Sequence, residues 1–118
     1  MENKKLKVEI VDLSVTLFIG TRKEIEIKLR KDKPDFKMGY GVTRPIKKEL
    51  RKQEFEYEIY LSKDQEKHSL TSILVHELTH VVDSVLKKIG ADSEKEFKAY
   101  MMGYLFENFE KIITKQKS

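Results

Sequence analysis

From Ser69 to Ile89 the apolar residues Leu70, Ile73, Leu74, Leu78, Val81, Val82, Val85 and Ile89 recur at spacings of three and four, the period of an α-helix with one buried face. A helix this long and one-sided needs a second layer to cover it, so the rest of the chain must supply a sheet or another helix. Lys87 and Lys88 fall in its last turn and Gly90 follows, which suits a helix C-terminus. Phe97, Tyr100, Met101, Leu105, Phe109 and Ile112 then repeat the period and predict a second helix, beginning after Asp92 or Ser93 and running to about Thr114. The short turn Gly90-Ala91-Asp92 would fold it back, antiparallel, on the first. Met101 and Met102 read as core filler. Gly103, costing about 1 kcal/mol relative to Ala inside a helix, predicts close packing against the first helix.

The first half of the chain supplies the other layer. Residues 7–19 alternate loosely between apolar and polar and are rich in β-branched side chains, predicting one strand or two short ones that end at Gly20. Residues 22–32 admit two readings. Ile25, Ile27 and Leu29 alternate like a strand, whereas Thr21 and Glu24 have capping-box spacing, and the helix reading is favoured. Pro34, Gly39 and Gly41 mark a loop region around a short segment, Met38 to Thr43, with Pro45 discouraging regular structure at its own position. Phe55, Tyr57, Ile59 and Leu61 alternate with Glu54, Glu56, Glu58 and Tyr60, predicting a half-buried strand, and residues 62–68 read as a connecting loop. The predicted fold class is α+β, a small and mostly antiparallel sheet packed on two antiparallel helices in one domain spanning 1–118.

Composition narrows the chemistry. The chain has no cysteine, so a metal must be held by His, Asp or Glu. The net charge of +4 could suggest nucleic acid, but the basic residues are dispersed among acidic ones. The densest basic run, residues 47–52, contains Glu49 and no aromatic residue, so it reads as a solvated face and no nucleic-acid partner is expected. The apolar run from Val8 to Ile19 is broken by Glu9, Asp12 and Ser14, which fits neither a signal peptide nor a membrane span. The expectation is a cytoplasmic protein with no membrane partner.

The predicted first helix carries His76-Glu77-Leu78-Thr79-His80. Residues four apart share a helix face, so His76 and His80 can place two imidazole nitrogens on one ion. Glu77 lies about a hundred degrees around from His76, within reach of a water on that ion without being a ligand itself. Two fixed ligands and a proton-accepting carboxylate are what a zinc hydrolase requires. With three histidines in the chain, such a pattern arises by chance in about one chain in a hundred. A catalytic zinc takes three protein ligands, and Asp83, Asp92, Glu94, Glu96 and Glu107 are the downstream candidates. Asp83 suits a hydrogen-bonding partner of a histidine better than a third ligand. Glu96, in the first turn of the second helix, is a candidate third ligand, but Ser93 to Glu96 also has capping-box spacing, so it could equally cap its own helix, and resemblance rather than spacing favours the ligand reading.

With Glu96-Phe97-Lys98-Ala99-Tyr100 following the HExxH segment, the chain resembles the gluzincins, in which a second helix bears the glutamate ligand. It is most similar to small phage- and prophage-type predicted zinc peptidases of the minigluzincin kind, through Ala99-Tyr100-Met101-Met102-Gly103-Tyr104-Leu105. The resemblance covers roughly residues 70 to 106. It implies a zincin-like fold, Zn2+ held by His76, His80 and Glu96, and Glu77 as general base in hydrolysis of a peptide or protein substrate. By analogy with zincins, Met38 to Thr43 or Phe55 to Leu61 would offer a strand edge to an extended peptide. Two positions depart from the thermolysin-like pattern: the His80 to Glu96 spacing is shorter, and Tyr100 stands where an acidic residue is usual. Tyr100 and Tyr104 are candidates for an oxyanion donor, with core packing as the plainer role, and His68 reads as a solvated or capping residue. The competing expectation is a non-catalytic zinc-binding structural or interaction domain of mobile-element origin, with the fourth coordination position closed by Asp83 or a tyrosine.

Overall fold

The computed structural model describes residues 1–116. Strand β1 (Glu2–Val8) turns through a 3-10 segment, Glu9–Val11, into β2 (Leu13–Gly20). Helix α1 (Arg22–Leu29), β3 (Gly41–Pro45), β4 (Phe55–Ser62), α2 (Leu70–Lys88) and α3 (Lys95–Gln116) follow. The apolar run of residues 7–19 is therefore two strands, and β1 reaches back to Glu2. They are separated at Asp12, whose backbone adopts the left-handed conformation at φ 50°, a region Asp tolerates better than most residues.

The four strands lie in the order β1-β2-β4-β3. The outer pairs, β1 with β2 and β3 with β4, are antiparallel, whereas the central pair, β2 with β4, is parallel with Leu13 opposite Phe55 and Gly20 opposite Ser62. The expectation of a mostly antiparallel sheet on two helices is thus refined to a mixed sheet with three helices. The crossover that makes the centre parallel contains α1 and β3, and alternation along single strands carries no information about it.

The side chains of β2 and β4 divide between two apolar layers. On one face Leu13, Val15, Leu17, Ile19, Ile59 and Leu61 meet the buried stripes of α2 and α3. On the other, Phe18, Tyr60 and Val42 meet Ile25 and Leu29 of α1 together with Met38. Tyr60, grouped by alternation with the solvent-facing glutamates, is fully buried and stacks on Phe18 with ring centroids 4.7 Å apart, because α1 covers that face. The two readings of residues 22–32 resolve to a helix. Ile25 and Leu29, one turn apart, are buried while Ile27 is exposed, and Thr21 and Glu24 exchange both capping-box hydrogen bonds.

Helix α2 begins at the Ser69 cap, whose hydroxyl accepts from the Ser72 amide, and buries Ile73, Leu74, Leu78, Val81, Val82 and Val85 as its period requires. In α3 the buried stripe is Met101, Leu105, Phe109, Ile112 and Ile113, with Met102 packed against it. Tyr100 stands about a hundred degrees around the helix from Met101 and is exposed rather than part of that stripe. Gly103 is also exposed, and a Cβ there would meet nothing within 4 Å, so the expected close approach to α2 does not occur at this residue. Among the described residues, no helix is long and apolar enough to cross a membrane.

Candidate metal centre

The HExxH segment occupies the middle of α2, where one turn of helix superposes His76 and His80 on an exposed face. Their Nε2 atoms are 3.1 Å apart, with ring planes at 87°. With Zn–N bonds near 2.05 Å, two nitrogens of a tetrahedral site lie about 3.3 Å apart, so the observed pair is within a few tenths of an ångström of the edge two zinc ligands would form. At this separation one imidazole can donate its Nε2–H to the other, the roles depending on the tautomer, or both can turn their lone pairs to a cation between them. His76, Glu77 and His80 form a group whose potential ligand atoms all lie within 4.8 Å of one another, close enough to hold a metal ion.

Glu77 faces the other way from the solvent. Its side chain is buried against β3, where Oε1 accepts a 2.9 Å hydrogen bond from the Thr43 hydroxyl. Oε2 lies 4.0 Å from His76 Nε2. One carboxylate oxygen is therefore fixed by the strand, and the other is turned toward the histidines.

Strand β3 lies against α2 because residue 41 is glycine. A Cβ on Gly41 would come within 2.5 Å of Ile73 Cγ2 and 3.3 Å of Glu77 Cγ. Gly41 thus permits the approach that puts Thr43, two residues on and on the same face of the strand, against Glu77. In sequence Gly41 marks only a loop. Val42 and Thr43 carry a faint β-branched signal, and nothing local announces a partner thirty-four residues away.

Two clefts open on either side of Glu77. One, of about 390 Å3, is lined by Tyr40, His68, Ile73, His76 and Glu77; the other, of about 440 Å3, by Thr43, Pro45, Tyr57, His80, Ser84 and Lys88 among others. His68 is exposed but not simply solvated. The buried Gln65 side chain bonds both its backbone N–H and its C=O, and its ring stands edge-on to Tyr40 with centroids 4.8 Å apart.

The remaining sequence candidates lie outside this group. Asp83 shares the histidine face of α2, but its carboxylate pairs with Lys98 of α3 at 2.7 Å instead of with a histidine. Glu96 is exposed in the first turn of α3 and stays outside the 4.8 Å group. Its carboxylate has no hydrogen bond or ion pair among the described residues, so the capping bond to Ser93 is not formed either. Tyr100 and Tyr104 line a different groove, against β1, and are not placed to act on an oxyanion here, because the core stripe of α3 turns both away from α2. Of the two segments suggested as open strand edges, Phe55 to Leu61 is excluded, since β4 is paired on both sides. β3 is the edge strand beside the histidines, beginning at Gly41 rather than Met38.

Comparison with known proteins finds no matching family model, no matching curated protein and no matching solved structure.

Proposed function

We propose that the chain is a zinc-dependent peptide hydrolase of the gluzincin type, with His76, His80 and Glu96 holding the ion and Glu77 moving the proton. The observation that carries this reading is the junction of two things: imidazole nitrogens 3.1 Å apart, and beside them a buried carboxylate with one oxygen anchored by Thr43 and the other turned toward the metal face. Nitrogen and carboxylate donors without thiolate suit zinc in a catalytic site. His76 is 69% exposed and borders a cleft, whereas a purely structural ion is closed off by its protein ligands. Glu96 enters the tripod through the family resemblance alone; its exposed carboxylate lies outside the group formed by His76, Glu77 and His80.

When bound, zinc supplies a Lewis acid that polarises a carbonyl and acidifies a water. Glu77 Oε2 takes a proton from the water that adds to the peptide carbon, and returns it to the departing nitrogen as the C–N bond breaks. Thr43 keeps the carboxylate from rotating away by donating to Oε1. The unpaired edge of β3 pairs with the backbone of an extended peptide and holds its scissile bond beside the histidines.

Zinc stoichiometry and turnover of a quenched-fluorescent peptide library test the reading together. Wild type is expected to bind one equivalent, Glu77→Gln to keep it while losing about a hundredfold or more in turnover, and His80→Ala and Glu96→Ala to lose it. Zinc retained in full by His80→Ala, or turnover unaffected by Glu77→Gln, would sink the proposal; zinc retained only by Glu96→Ala moves the third ligand elsewhere.

A further inference from the structure

The two ends of the β3 edge differ in chemistry. At one, Tyr40 and His68 present aromatic rings; at the other, Tyr57, Ser84 and Lys88 present polar groups beside His80. Lys88 Nζ donates to the Tyr57 hydroxyl oxygen at 3.3 Å, and the Tyr57 and Ser84 hydroxyls share one hydrogen bond at 2.8 Å in which either can be the donor. Two ammonium protons and one hydroxyl proton of the Tyr57–Ser84 pair are left without acceptors among the described residues. No carboxylate among those residues lies within ion-pairing distance of Lys88, although the chain has many acidic groups. Nζ lies 6.0 Å from the Phe55 ring centroid, at the outer limit of a cation–π contact.

A cluster with a positive charge and spare donors suits a carboxylate. From the geometry we infer that Lys88, Ser84 and Tyr57 form a specificity subsite for a carboxylate of an extended peptide lying along β3, a claim that rests on the proposed hydrolase reading. The position along the peptide follows from arithmetic. Eight residues of helix separate His80 from Lys88, about 12 Å at 1.5 Å per residue, which an extended chain spans in about three or four residues. The carboxylate therefore stands about three or four residues from the scissile bond, on one side only, and belongs to an Asp or Glu side chain or to the peptide's own C-terminus. Lys87 shares the helix-end position of Lys88 but not the cleft, so it serves as the internal control for the charge near the helix C-terminus.

The test is digestion of a proteome-derived peptide library by the zinc-loaded full-length protein, with cleavage sites read by mass spectrometry. Half the library carries free C-termini and half carries amidated ones. Wild type is expected to favour a carboxylate at that distance by about tenfold. Lys88→Glu is expected to exchange this for a preference for Lys or Arg, while Lys87→Glu leaves it in place. Loss of the preference on amidation identifies the chain terminus as the source, and persistence identifies the side chain. Cleavage without enrichment for a carboxylate overturns the subsite and leaves the hydrolase reading intact. If wild type cleaves nothing, the hydrolase reading fails, and retention of the free-acid library on immobilised zinc-loaded Glu77→Gln protein decides the subsite separately: enrichment for carboxylate that Lys88→Glu abolishes supports it, and its absence overturns it.

Discussion

The sheet has charged groups on both faces, arranged in opposite ways. Beneath α1, Arg44 donates to Glu58 at 2.7 Å and to Asp32 at 2.9 Å, Tyr60 donates to the same Glu58 oxygen, and Lys28 lies 3.6 Å over the Phe18 ring. Each ion there has found an opposite charge or a ring. On the α2 face, Glu77 has one anchored oxygen and one turned to the histidines, and the two imidazoles face each other. Self-satisfied polar groups hold a scaffold, whereas groups with leftover capacity are the ones available to a ligand.

That contrast predicts separable phenotypes. Arg44→Ala leaves Glu58, mostly buried, without its ion pair and is expected to lower unfolding free energy by about 2 to 3 kcal/mol in a urea titration, while the folded protein keeps its metal stoichiometry. A loss of metal binding in the folded variant would show that the two faces are coupled. Gly41→Ala strikes both. Its Cβ collides with Ile73 Cγ2, so a stability loss of about 1 to 3 kcal/mol is expected along with weaker turnover, and Ile73→Ala in the same chain, which removes that atom, should restore part of the turnover. Thr43→Val is the converse of Arg44→Ala. It removes the anchor of Glu77 for about 1 kcal/mol of stability, and the expected outcome is a tenfold or so fall in turnover at unchanged zinc stoichiometry, with Thr43→Ser close to wild type.

The smallest expected effect is a pH dependence on the scaffold side. Burial, followed by donation to Glu58 and that carboxylate's charge, pushes the Tyr60 hydroxyl well above its ordinary value of 10.0. The folded state then holds this proton more tightly than the unfolded state. Stability is present in full below pH 10 and declines as pH rises beyond it toward the folded value. Circular dichroism melts from pH 9 to 12 should show the decline in wild type and a shallower one in Tyr60→Phe.

How much of this was legible in sequence depended on how far apart the partners lie. The HExxH face, the α2 stripe and the Thr21 to Glu24 cap are set by residues within one or two turns of helix, and each was readable. Tyr60 was misplaced because alternation reports a strand's two faces but not that α1 covers the second one. Gly103 was given a packing role that the structure assigns to Gly41, since a sequence shows where glycine stands but not which backbone it approaches. The parallel pairing of β2 with β4 and the hydrogen bond from Thr43 to Glu77 had no local trace. They arise only when segments distant in the chain are brought together.

The central parallel pairing also bears on the order in which the molecule assembles. β4 must dock on β2 across a loop that contains α1 and β3, a slow closure compared with forming a hairpin or a helix. β3 and β4 follow each other in the chain and can pair as a hairpin first, but the contact between Thr43 and Glu77 also needs α2 packed on that hairpin, so it forms later than either element. The histidine pair, by contrast, exists as soon as α2 is helical. Zinc held by that pair stabilises structure formed before the slow closure, so zinc present during refolding should speed refolding and change the unfolding rate little, a division that stopped-flow kinetics with and without the ion would reveal.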